Sequence, residues 1–244
     1  MPRKQAKSIA SAGKAASNAP SRRIRRRLSP AERRLQIIDA ARVLFGEGGL
    51  AQVTMRNIAR HVGITQAAIY QHFEDKEAVL FAIADGYFAQ LIERMGERLS
   101  DDMQPLNRLR AMMRGYIEAG LARPEEYRLV FMTDIPGFRR EGGLRVEPGD
   151  NAEPTTGQLA FGFLEEQVRA LLKAKLIRPG DAELTAEAIW AAGHGVVSLL
   201  ITHVGFLWAP ERLIDAQIDM IFKGILPDDS PARRKTPQAR SPKA

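Results

Sequence analysis

At 244 residues the chain has room for one or two domains and a sizeable core. It contains no cysteine, which excludes disulfides, thiolate metal sites and cysteine nucleophiles and suits a reducing cytosol. The formal net charge of +7 is uneven: residues 1–30 carry nine Lys or Arg and no acid, residues 227–244 carry +3, and the body between them is left at −5.

Residues 1–30 are rich in Ser, Ala and Arg and poor in large apolar side chains, which predicts a disordered basic arm. Such an arm suits phosphate tracking or entry into a minor groove. A solubilising linker and a transit peptide share parts of this composition, and no apolar stretch marks a secretory signal. Ser29-Pro30-Ala31-Glu32 is a helix start, with Ser as cap, Pro in the first position and Glu in the first turn. The first helix runs to about Phe45, burying Leu35, Ile38, Ala41, Leu44 and Phe45, and the Gly46–Gly49 region ends it.

Thr54 to Phe73 reads as two short helices broken at Gly63. Thr54 and Thr65 can each cap a helix by accepting a bond from an orphan backbone N–H. Gly63 stands where a sharp bend calls for a positive φ, and small Ala59 lets the helices approach. Ile58, Val62, Ile64 and Ile69 supply the apolar contacts of the crossing. This layout is a helix-turn-helix, whose second helix can enter the major groove of double-stranded DNA.

Glu74 to Glu77 opens a long helix reaching about Leu99. Pro105 starts another to about Leu121, with Leu109, Met112, Met113, Tyr116 and Ile117 apolar, and Pro124 a short one through Met132. Residues 136–154, rich in Gly, Pro and charge, read as a long exposed loop. Thr155–Leu176 is an amphipathic helix, Asp181 caps one running to about Leu207, and Pro210–Ile225 is the last. No strand pattern appears, so the fold class is all-α. Ala188–Trp208 carries no formal charge over a length that suits a membrane span, but its two His, Ser198, Thr202 and three Gly favour a buried core or subunit-interface helix.

Residues 33–81 resemble the DNA-binding domain of the TetR family of bacterial transcriptional regulators. The matching pieces are Ile37-Ile-Asp-Ala-Ala-Arg-Val-Leu-Phe45, Gly48-Gly49, Val53-Thr-Met-Arg-Asn-Ile-Ala, Val62-Gly-Ile-Thr, Ile69-Tyr-Gln-His-Phe and Asp75-Lys-Glu-Ala-Val-Leu80. Trp190-Ala-Ala-Gly-His-Gly195 is similar to the Trp…His-Gly signature of one subgroup of that family's C-terminal domains. Composition sets apart a basic arm over 1–30 and a Pro-rich disordered tail over 227–244, and between them the resemblance implies a three-helix helix-turn-helix domain over 31–81 and a helical effector-binding and dimerisation domain over 82–226. It also implies a cytoplasmic, nucleoid-associated homodimer built from helices 155–176 and 181–207, with the run Val196–Ile201 open to either interface or monomer core.

In that frame Gln66 and Ala67 fall at base-reading positions: Gln66 can bond a base edge and Ala67 can touch a thymine methyl. Tyr70 and His72 match a Tyr-x-His-Phe pattern whose polar groups reach phosphates, and Phe73 is core. Lys76 can hold a phosphate with the helix N-terminus, or can stand as a solvated lysine. Thr54 and Thr65 cap, and Thr54 can also bond a phosphate; Arg56 can face either the DNA backbone or solvent. The resemblance further implies a small apolar or amphipathic effector. Met112, Met113, Tyr116, Phe131, Met132, Phe161, Trp190 and His194 are candidates to line its cavity, although residues at such spacing also make plain core.

The function expected is a ligand-responsive repressor that binds a palindromic operator as a homodimer. The alternative is an architectural nucleic-acid binder driven by its basic tails. His61, His72, His194 and His203 show no metal-ligand spacing, and there is neither a phosphate loop nor a nucleophile elbow, so no enzyme, metal or cofactor is expected.

Overall fold

The structure is a computed structural model, and it describes residues 28–100, 102–135 and 154–228. Among these are nine α-helices and no strand: α1 (Pro30–Gly48), α2 (Met55–Val62), α3 (Gln66–Tyr70), α4 (Lys76–Glu97), α5 (Pro105–Ala122), α6 (Pro124–Met132), α7 (Thr156–Lys173), α8 (Ala182–Thr202) and α9 (Pro210–Ile225). The expected basic arm, the loop at 136–154 and the C-terminal tail fall largely outside the described residues.

Local chemistry sets most of the helix starts. At α1, Ser29 Oγ accepts from Glu32 N, and the Glu32 carboxylate accepts from Ser29 N, a reciprocal pair that satisfies two orphan donors. Thr155 and Gln158 make the same box at α7, while Asp75 and Asp181 cap α4 and α8. Pro occupies the first turn of α5, α6 and α9, where its missing N–H costs nothing.

Helix α1 buries Ile37, Ile38, Ala41, Leu44 and Phe45. Leu35, expected inside, is 60% exposed. The rest of the expected stripe is buried and is joined by Ile37, while at the start of α1 Arg34 rather than Leu35 reaches across to Phe73. Helix α8 stops at Thr202, short of the expected Leu207, because the chain turns at His203 and Trp208 Nε1 donates back to the His203 carbonyl.

Two hydrophobic clusters organise the chain. The first joins α1 to α4 around Ile37, Ile58, Ile69, Phe73, Val79 and Leu80. The second fills the space between the later part of α4 and α5, α7, α8 and α9. Helix α4 contributes to both, so position 81 lies within a continuous helix. Leu129 of α6 and Ile135 also pack into the first cluster, a second tie between head and body.

The head–body junction is polar. Arg123 Nη2 donates to Glu126 Oε1 at 2.8 Å, and Arg42 Nε of α1 lies 3.7 Å from the same oxygen. Arg42 Nε, Glu126 Oε2 and the Tyr87 hydroxyl are buried there without a protein hydrogen-bond partner. Burial pushes the Glu126 carboxyl up, against the pull of Arg42 and Arg123.

Helix α8 meets the length and composition of a membrane span, yet one face is core: Ile189, Gly193, Val196, Val197 and Ile201 are buried against its neighbours. Val196, Val197 and Ile201 are thus monomer core, and only Leu199 of that run is exposed. Gly120 is needed where α5 passes α8, because a Cβ there would lie 2.7 Å from Val197 and 2.9 Å from Tyr127.

Candidate nucleic-acid interface and effector cavity

The helix-turn-helix is fixed by short-range bonds. Thr54 Oγ1 accepts from Asn57 N at 3.1 Å and Thr65 Oγ1 from Ala68 N at 3.2 Å. Gly63 adopts φ 75°, and its N–H and that of Ile64 both bond the Ala59 carbonyl, which closes α2 and turns the chain into α3. Ile58 and Ile69 are fully buried beneath the crossing.

Above this base, Thr54, Arg56, Thr65, Gln66, Ala67 and Tyr70 are exposed, and His72 and Lys76 are half-buried. Gln66 Nε2 lies 3.4 Å from the Tyr70 hydroxyl, so a base edge or phosphate would compete only with a long, solvent-facing contact. Lys76 Nζ stands 3.6 Å from Glu77 Oε1, beyond hydrogen-bond length. Asp75 already accepts from Ala78 N at the start of α4, so the side chain of Lys76 offers a phosphate more than the helix end does.

Arg34 was not singled out from the sequence. Its guanidinium donates to the His72 carbonyl at 2.8 Å and stacks 3.9 Å from the Phe73 ring centroid, clamping the end of the reading helix to α1. A basic residue on a charged helix face carries no signal for such a contact.

The second feature is a small, partly open cavity in the body, about 60 Å³ in volume. Its walls are Phe88, Leu91 and Met95 of α4, Met112, Met113 and Tyr116 of α5, and Phe131 of α6. Gly157, Ala160, Phe161 and Leu164 of α7 and Ile189, Trp190 and Gly193 of α8 complete it. No charged side chain is among them. Met112, Met113, Tyr116, Phe131, Phe161 and Trp190 thus come together on one wall system, although they are far apart in the chain. Met132 does not join them, being 42% exposed on the other side of α6.

His194 does not line the cavity either. Tyr127 lies over it, with rings 5.5 Å apart and 23° from parallel, and both ring nitrogens are engaged. The Tyr127 hydroxyl is 2.6 Å from Nδ1 and Ser198 Oγ is 3.2 Å from Nε2. Burial holds the imidazole below its ordinary value. The chain of contacts continues the other way: Tyr127 to the Tyr116 hydroxyl at 2.8 Å, which accepts from Trp190 Nε1 at 3.1 Å. Burial pushes the Tyr116 phenol up to about 12, so it stays protonated at neutral pH. The α4 residues of the cavity give no sequence signal, since apolar side chains at helical spacing look the same whether they meet a void or a neighbour.

Among known proteins, residues 37–83 match the bacterial regulatory proteins of the tetR family, and residues 109–221 match the tetracyclin repressor-like C-terminal domain. The chain belongs to the TetR family. It is a DNA-binding transcriptional regulator, and its family and structural neighbours are regulators rather than enzymes. Among its relatives is the nucleoid occlusion factor SlmA of Cronobacter sakazakii, 28% identical over 161 residues that cover 66% of this chain and 76% of SlmA. SlmA of Yersinia enterocolitica is 27% identical over 197 residues, 78% of this chain and 92% of that protein.

Solved structures share the fold at lower identity. A Rhodococcus sp. RHA1 protein of unknown function superposes with a TM-score of 0.65 at 22% identity, covering 84% of this chain and all 100% of that one. The fatty acid degradation regulator FadR from Bacillus halodurans gives 0.62 at 15% identity, over 80% and 96%. AibR, in complex with isovaleryl coenzyme A and operator DNA, gives 0.58 at 23% identity, over 78% and 98%.

Proposed function

We propose that this TetR-family regulator binds a two-fold operator as a homodimer in the cytoplasm and is released from it by a small molecule held in the body cavity. The observation that carries this reading is the continuity of α4. Its first turn carries Lys76 at the edge of the reading head, and its later turns supply Phe88, Leu91 and Met95 to the cavity wall. A ligand that fits one tilt of α4 better than another changes the spacing of two reading heads, and so separates the DNA-binding and released states. Trp190, the first residue of the Trp…His-Gly likeness, lines this cavity, while His194 stands behind its wall.

Dimerisation uses the outer face of α8 and the adjoining face of α7. Leu184, Ala188, Ala191 and Leu199 are exposed along one stripe of α8, and Gly195 faces open space. On α7, Leu159 is 50% exposed. Small residues on such a stripe let a second copy's helices approach closely, as in a four-helix bundle. Two heads on a two-fold axis then read half-sites about 34–36 Å apart, or a multiple of that.

Gln66 and Ala67 select bases, while Thr54, Arg56, Tyr70, His72 and Lys76 hold phosphates and set register. Gln66→Ala should relax preference at one position in each half-site, and Lys76→Ala should weaken all sequences by about the same factor. Titrations against an operator and its single-base variants separate these outcomes; an unchanged preference in Gln66→Ala contradicts the assignment.

A second reading, a chromosome-associated factor that occupies many sites, is favoured by the nucleoid occlusion factors among the relatives and by the +9 charge of residues 1–30. It predicts a steep fall of affinity with salt and little discrimination between sequences.

A further inference from the structure

The cavity contains almost no polar surface, but one polar chain ends at its wall. Trp190 and Tyr116 both line it, and the Trp190 N–H donates to the Tyr116 oxygen. From there the contacts run to Tyr127, His194 Nδ1 and, through Nε2, Ser198. Every donor has an acceptor when the chain points one way, the Ser198 O–H being free to turn to the Tyr127 oxygen. Tyr116 donates to Tyr127, Tyr127 donates to Nδ1, and Nε2–H donates to Ser198. In that state the cavity meets no free donor and suits a hydrocarbon.

The chain can also point the other way with the same groups. Ser198 donates to Nε2, Nδ1–H donates to Tyr127, and Tyr127 donates to Tyr116. The Tyr116 oxygen then accepts from both Trp190 and Tyr127, and its own O–H is left for a partner in the cavity. No proton is gained or lost: the hydroxyls rotate and the imidazole hydrogen moves from Nε2 to Nδ1. A neutral imidazole is needed in both directions, which agrees with the burial of His194. Without a ligand acceptor the reversed state leaves a buried O–H unpaired, a cost large enough to disfavour it. A ligand acceptor removes that cost.

Resting on the effector reading above, we propose that the cavity takes an uncharged, largely apolar molecule with a single hydrogen-bond acceptor, and that Tyr116 donates to that acceptor as the five-group chain reverses. The absence of a charged side chain among the described lining residues sets the class: a carboxylate or phosphate brought in would be desolvated without a counter-charge. The rings of Phe131, Phe161 and Trp190, packed tilted and edge-on about the space, suit an aromatic or branched hydrocarbon body. Tyr116 is therefore the specificity-determining residue, and His194 a positioning residue that reports on it.

The test uses the full-length protein and four probes in calorimetric titrations: butylbenzene, the ketone 1-phenylbutan-1-one, 4-phenylbutanoate and isovaleryl coenzyme A. The ketone should bind at least about tenfold more tightly than butylbenzene, and the carboxylate more weakly than either. Tyr116→Phe should bring the ketone down to the hydrocarbon's affinity. Nitrogen NMR of the four histidines should show His194 changing from the Nε2–H to the Nδ1–H tautomer with the ketone and not with butylbenzene. Tyr127→Phe, which breaks the chain beyond Tyr116, should keep the ketone preference while abolishing the tautomer change.

Equal affinity for ketone and hydrocarbon in the wild type, or an unmoved tautomer, overturns the proposal. Tighter binding of 4-phenylbutanoate or isovaleryl coenzyme A overturns the ligand class and leaves the cavity as an effector site. Binding of none of the four, with operator affinity unaffected by each, removes the effector reading as well.

Discussion

At the scale of single residues, backbone conformation and burial decide the outcomes. Gly63 holds φ 75° with nothing within 4 Å of a Cβ added there, so the cost of Gly63→Ala is conformational and not a clash. It should destabilise the chain by about 1–2 kcal/mol, read from urea unfolding. Gly120 presents the opposite case, because a methyl group would strike Val197 and the Tyr127 ring. Gly120→Ala should cost about 1–3 kcal/mol. His194 gives a pH signature. Burial lowers its folded value, so the unfolded chain takes up a proton first as pH falls. Its contribution to stability is therefore complete above the ordinary value of about 6.5 and declines as pH drops from there toward the folded value. His194→Gln should flatten the change in Tm between about pH 7.5 and about pH 5.5; an unaltered slope would show that His194 does not titrate this way.

At the scale of elements, legibility follows the range of the interactions that decide each feature. The reading head was readable because its determinants lie within a few residues of one another: Ser29 with Glu32, Thr54 with Asn57, Thr65 with Ala68, and Gly63 at the turn. The starts of α5, α6 and α9 at Pro105, Pro124 and Pro210 were readable for the same reason. Which face of a helix turns inward was less so. Leu35 and Ile37 are both apolar residues of α1, and only packing against α2 and α4 decides that Ile37 is buried. His194 lies four residues from Trp190 on α8, yet Tyr127 of α6 places it behind the wall and not on it. The cavity itself was not readable, since Phe88 and Met95 meet a void only because α7 and α8 stand where they do. The α1–α6 junction belongs to this long-range class. With Arg42 Nε 3.7 Å from Glu126 Oε1, beyond ordinary hydrogen-bond length, a small rotation of the head can close or open that contact. Glu126→Gln should change the operator affinity of the free and ligand-bound protein by different factors, measured in one titration series; equal factors would exclude the junction from coupling.

At the scale of the whole molecule, charge and symmetry divide the labour. The body between the basic ends carries −5, so under the proposed function long-range attraction to DNA rests on the +9 of residues 1–30, and choice of site on the two reading helices of a dimer. Introducing like charges on the outer stripe of α8, with Ala191→Glu and Leu199→Glu, should yield monomers in sedimentation and leave only weak, half-site binding. The two substitutions lie on an exposed face, so the monomer should remain folded. In the proposed function Thr54–Phe73, doubled by symmetry, recognises a specific two-fold sequence. Selection of bound fragments from a random DNA pool by the full-length protein puts this to the test. Recovery of one inverted repeat, with its half-sites about one helical turn or a multiple apart, is the predicted result. A pool that stays random in sequence while binding falls steeply with salt would contradict it.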